Sequence, residues 1–170
     1  MTQQHNHRET GPERALLKGT LAGFVATLPM TVFMLATQRF LPRRQQYRLP
    51  PEMITTELAR RAHVRHRLNK QQILAATTVS HFGYGAAMGA VYGPLQKRVP
   101  LPAIVQGVIF GIVVWAASYL GLLPALGISA SGHREPVRRN LMMIAAHVVW
   151  GAAMGATASL LFREQDNSIV

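Results

Sequence analysis

The chain has 170 residues, 49% of them hydrophobic, no cysteine and a formal net charge of +11. That length holds one domain, and the lack of cysteine excludes disulfides, thiolate metal sites and a lipid-modified cysteine anchor. The apolar residues gather in blocks too long for soluble core helices, and the basic residues lie in the loops between them. The charge, with pI ≈ 11.4, therefore reads as membrane topology and not as nucleic-acid binding.

Residues 1–14 are polar and aperiodic, and read as an N-terminal tail. A first span is predicted over 15–38, with Gly19 and Gly23 one turn apart and Thr27 and Thr31 continuing their line. Pro29 should kink it and free a carbonyl that Thr31 or a neighbouring helix could satisfy. The block is longer than a signal-peptide core and further spans follow, so no cleaved signal is expected.

The loop 39–71 carries nine of the eighteen Lys and Arg. After Pro50 and Pro51, the segment EMITTELARRAHVRHRL puts Ile54, Leu58 and Ala62 on one stripe, with Arg60, Arg61, Arg65 and Arg67 largely elsewhere. This is the pattern of a short amphipathic helix in the headgroup region whose arginines meet anionic lipid. A solvated basic loop that serves only as a topology signal accounts for the charges equally well.

A second span over 72–95 is the least hydrophobic, holding Thr77, Thr78, Ser80 and His81. A third over 102–123 opens with Pro102 in its first turn and closes before Pro124, with Gly107 and Gly111 on one face. The fourth covers 137–162 and leaves a C-terminal tail at 163–170. Each approaches or exceeds the roughly 20 residues needed to cross a bilayer core.

The second and fourth spans share a motif. HFGYGAAMGA (81–90) and HVVWGAAMGA (147–156) agree at seven of ten positions, and Tyr84 against Trp150 keeps an aromatic ring. The first and third spans each start with GxxxG, so a two-helix unit reads as duplicated, both copies inserting the same way round. Small residues at four-residue spacing let helices approach closely in lipid. Gly19, Gly23, Gly85, Gly89, Gly107, Gly111, Gly151 and Gly155 are the expected packing positions. The expected fold is thus an all-α integral membrane protein of four spans in two pseudo-repeated hairpins, with homo-oligomerisation left open. Twelve Lys and Arg flank the first and third loops against six on the other side, which places both termini outside the cytoplasm.

On a helical wheel Thr77, His81, Tyr84, Gly85, Met88 and Tyr92 share a face, as do His147, Trp150, Gly151, Met154 and Ala158. His81 and His147, with Tyr84 and Trp150, are the candidate functional pair, since a histidine inside a span is costly and points to function. An imidazole titrates near neutrality, so the pair suits a pH-responsive or permeation element. Two imidazoles from different helices would also suit axial ligation of a haem in an electron-transfer protein. The bland alternative is a structural histidine bonded to a neighbouring helix.

Missing groups narrow the chemistry. The one Asp and six Glu all lie outside the predicted spans, so intramembrane aspartyl proteolysis and diiron-carboxylate chemistry lack their ligands. Ser80 and His81 point about 100° apart on a helix, which disfavours a serine hydrolase. HEXXH, P-loop and dinucleotide motifs are absent. No enzymatic activity and no metal site are expected.

The segments PMTVFM, LPPEMITTEL, HFGYGAAMGAVYGPL, SYLGLLPALGI and AAHVVWGAAMG resemble the YagU-like family of small bacterial inner-membrane proteins. The likeness runs from about Leu17 to Leu161. It implies several helical spans in the bacterial cytoplasmic membrane, and supplies no catalytic or binding residue to carry over.

Overall fold

A computed structural model describes residues 11–46, 48–96, 98–125, 127 and 136–167. Five helices appear among them: α1 (Pro12–Gln38), α2 (Pro50–Arg61), α3 (Lys70–Gln96), α4 (Ala103–Ala116) and α5 (Val137–Asn167). The expected tail boundaries shift. Pro12 starts α1 because its fixed φ and missing N–H suit a first helical turn, and α5 continues past Phe162 through Arg, Glu and Gln, which favour helix. The first ten residues and the last three lie outside the described residues.

Among the described residues, three helical stretches are long and apolar enough to cross a membrane: Pro12–Gln38, Ala103–Ala125 and Val137–Arg163. Helix α3 matches α1 at 27 residues, about 40 Å of helix, but its Thr, Ser and His residues keep it out of that group. Large apolar side chains are exposed along the outer surface of the long helices. Leu17, Leu28, Val32, Leu74, Val79, Val113 and Leu160 are each more than half exposed, as suits a bundle solvated by hydrocarbon.

Packing follows the glycines. A methyl group added at Gly19 or Gly23 would meet the backbone of Gly85, Gly89 or Gly93, so α1 and α3 touch main chain to main chain. Helices α4 and α5 do the same, Gly107 and Gly111 lying against Gly151, Gly155 and the His147 carbonyl. The two hairpins differ in register from the simplest reading of their motifs. Gly107 faces the α5 counterparts of the residues that Gly23 faces on α3, so Gly107 corresponds to Gly23 and not to Gly19. A stripe of small residues every four positions tolerates such a one-turn slip, because small still meets small.

Helices α1 and α5 join the hairpins through a core that includes Ala22, Ala26, Met30, Met143, Ala146 and Met154. Lys18 clamps the far end, donating to the Leu161 carbonyl at 2.8 Å with its ammonium 5.0 Å from the centre of the Phe162 ring. Helices α3 and α4 are tied there by Tyr92, which donates to the Ala103 carbonyl at 3.0 Å, and by Gln106, which donates to the Leu95 carbonyl at 3.1 Å. Pro29 sits within a continuous α1. Thr31 donates to the Thr27 carbonyl and not to that of Val25, the one a proline at 29 leaves without its helical donor.

The basic loop departs most from expectation. Helix α2 stops at Arg61, so Ala62, Arg65 and Arg67 lie beyond it, the last two in a 3₁₀ turn. His63 adopts φ 58°, and the N–H groups of His63 and Val64 return to the carbonyls of Arg60 and Ala59, the reciprocal bonding of a left-handed helix stop. Glycine is the natural occupant of that position. His63→Gly should raise stability by about 0.5–1 kcal/mol, read as a higher melting temperature in detergent, and a lower one would contradict the assignment of this stop.

Candidate functional site

A cavity of about 330 Å³ lies between α1, α2, α3, α5 and the end of α4. Both repeat histidines line it, His81 from α3 and His147 from α5, with Tyr84 and Trp150 beside them. Each histidine is ten or eleven residues from the start of its helix, about 15 Å at 1.5 Å per residue. Of the two wheel faces, His81, Tyr84 and Gly85 on α3 and His147 and Trp150 on α5 line this one chamber.

The two imidazoles differ in their bonding. His147 is 7% exposed and its Nδ1 lies 2.8 Å from the Met143 carbonyl. A carbonyl only accepts, so Nδ1 carries the proton in the neutral ring and Nε2 presents a lone pair. Tyr119 meets this ring edge to face at 6.1 Å. The Nε2 atom of His81 is buried and has no hydrogen-bond partner among the described residues.

The paired aromatics each reach across to the other hairpin. Trp150 on α5 donates its indole N–H to the Gly23 carbonyl of α1 at 3.2 Å, while the Tyr84 hydroxyl on α3 lies 3.0 Å from that of Ser118 beyond α4. Trp150 is 3% exposed and Tyr84 42%, so the second copy is locked in the core and the first opens to the outer surface.

Two parts of the site escaped the sequence reading. Helix α4 continues through a π-helical turn, Ala117–Leu122, and a last turn at Leu123–Ala125; the widened turn brings Ser118, Tyr119, Leu122 and Leu123 all to the cavity. Such turns are frequent at functional sites, and Gly121 three residues before Pro124 was the available signal. Helix α2 is the other part. Its expected lipid-facing stripe turns inward, Ile54 and Leu58 lining the cavity with Pro50 and Pro51, and Thr55 lies 3.1 Å from the Ser80 hydroxyl of α3. The gap left where α3 and α4 stand apart receives that apolar face, which hydropathy alone could not distinguish from a face meant for lipid.

The arginines of α2 stay outside the cavity. Arg60 and Arg61 both bond Glu57, at 2.7–2.9 Å, and the two guanidiniums, Arg60 foremost, hold its carboxyl down to about 2. Arg65 donates to the Leu68 carbonyl at 3.2 Å, and Arg67 is exposed.

No Asp, Glu, Lys or Arg is among the described residues that line the cavity. It thus offers two imidazoles and hydroxyls within apolar walls. A haem would bring carboxylates, and the lining holds no cation to receive them.

A family model described as a protein of unknown function (DUF1440) matches residues 30–156, and the chain belongs to that family. No curated protein and no solved structure matches it.

Proposed function

We propose that this DUF1440 protein is a four-span protein of the bacterial cytoplasmic membrane, as its YagU-like segments imply, and that its cavity is a non-catalytic, pH-responsive element closed by α2. The observation that carries this reading is the meeting of His81 and His147 in one cavity whose lid is the inward face of α2. Helix α3 serves as the fourth span: its glycine face packs along a spanning helix and its other side exposes Leu74, Val79 and Val91. An even count puts both termini on one side, and the basic loops put that side outside the cytoplasm. Arg60, Arg61, Arg65 and Arg67 then face the anionic headgroups of the inner leaflet.

Among the described residues, the titratable groups lining the cavity are His81, Tyr84, Tyr119 and His147, and neither α1 nor α2 contributes one. A proton taken up by either imidazole places a cation among apolar side chains with no carboxylate to balance it, which favours states that admit water. Acidification is expected to loosen α2. Because the protein has no native cysteine, Ile54→Cys gives a clean reporter. Its labelling by a water-soluble thiol reagent, normalised to Ala62→Cys in the exposed turn, should rise several-fold between about pH 7.5 and about pH 5.5. The double variant His81→Gln, His147→Gln should flatten that rise; an unchanged profile in the double variant would remove the histidines from the response.

A further inference from the structure

We propose that the cavity binds a fatty acid, its carboxyl group held between His81 and His147 and its chain along the apolar walls; this rests on reading the cavity as the working part of a membrane bundle. The volume of about 330 Å³ falls within the range of small-molecule sites, roughly 300–1,000 Å³. The ligand must also answer two nitrogens of different character.

His147 has its proton on Nδ1, committed to the Met143 carbonyl, so its Nε2 needs a donor. His81 buries an Nε2 without a partner, which in the Nε2–H tautomer needs an acceptor. A carboxylic acid carries one donor and one acceptor oxygen on a single carbon. Its O–H meets the His147 Nε2, and its carbonyl oxygen meets His81. If the acid proton moves, the O–H bond breaks and an N–H bond forms at His147, leaving carboxylate beside imidazolium. The cavity's net charge stays zero, so the ligand supplies the counter-charge that the lining lacks. An alcohol offers a weaker donor and gains no such pairing, and an ester has no donor at all.

The path of arrival is lateral. Leu58, Tyr84 and Leu122 line the cavity yet are 49%, 42% and 49% exposed, so its wall reaches the outer surface along the edge of α2. A molecule dissolved in the bilayer reaches the chamber there without crossing water.

Trp150 lines the cavity and provides the readout. In a Trp115→Phe background, reconstituted in phosphatidylcholine nanodiscs, Trp150 fluorescence is titrated with dibromostearic acid, its methyl ester and the corresponding alcohol. The acid is expected to quench saturably at a concentration about tenfold lower than the ester or alcohol. His147→Gln should weaken the acid about tenfold and leave the ester unchanged, and Ile54→Phe, which fills the chamber, should abolish saturable quenching. Unbrominated stearic acid, but not methyl stearate, should compete with the brominated acid in the protein with both histidines intact, which reads the selectivity without any histidine variant. Equal titrations for acid and ester, or quenching no greater than that of Ile54→Phe, would overturn the proposal. The labelling of Ile54→Cys uses no added acid, so a preserved pH response with unselective quenching removes the fatty acid alone. Selective quenching with a flat pH profile removes the pH response alone.

Discussion

Gly151→Leu should dismantle the α4–α5 hairpin, costing about 3 kcal/mol or more and appearing as loss of the monodisperse species in detergent. The first atom of any side chain at 151 would run into the Gly107 carbonyl and the backbone next to it. Backbone on a neighbouring helix cannot turn aside as a side chain can, so the helices must part, and every contact along their shared stripe weakens together. Gly85→Leu should be severe but lesser in its first atom's effect, because there the nearest obstacle is the Thr27 hydroxyl, followed by the Gly23 carbonyl. Gly83 is the control. Nothing lies within 4 Å of an added methyl at that position, so Gly83→Ala should hold or gain up to about 1 kcal/mol from improved helix propensity. Similar melting behaviour in all three variants would refute main-chain contact as the basis of packing.

Arg139→Met should destabilise by about 2 kcal/mol and, more tellingly, unlatch α2 at neutral pH. Arg139 begins α5, is 2% exposed, and donates to the carbonyls of Gln45 at 3.2 Å and Arg48 at 2.6 Å. It thereby fixes the segment leading into α2, whose Pro50 is buried. Methionine keeps most of the apolar volume but leaves both carbonyls without this donor, the costly way to lose a buried hydrogen bond. The Ile54→Cys reporter should then label faster at neutral pH without any proton reaching the cavity. Arg138→Met, on the exposed side of the same turn, should change stability by less than about 0.5 kcal/mol. Equal labelling in the Arg138 and Arg139 variants would show that the latch lies elsewhere.

Much of this arrangement was local and so legible in the chain. Long apolar blocks that begin near Pro12 and Pro102 set where two of the helices start, since a proline suits a helix start by its own covalent geometry; Pro124, expected to lie beyond the third span, instead sits inside its last turn, Leu123–Ala125. Glycines four apart mark a face on which only another backbone can fit closely, and those on α1 and α3, and on α4 and α5, do meet. The wheel positions of His81 and His147 were likewise readable, because the helical period alone puts each beside an aromatic and above a glycine.

Only the tertiary structure decided which stripe pairs with which turn, since four-residue periodicity makes one-turn slips nearly equivalent. It also decided where α2 turns its apolar face: an amphipathic stripe records that a surface is to be covered, not whether lipid or protein covers it. The π-helical turn beyond α4 arises from one extra residue in a hydrogen-bonded ring, a choice among near-equal backbones that packing around Tyr119 and Leu123 settles. The different bonding of the two histidines follows in the same way. Identical residues at matched repeat positions acquired different partners because the hairpins, alike in sequence, stand in unlike surroundings.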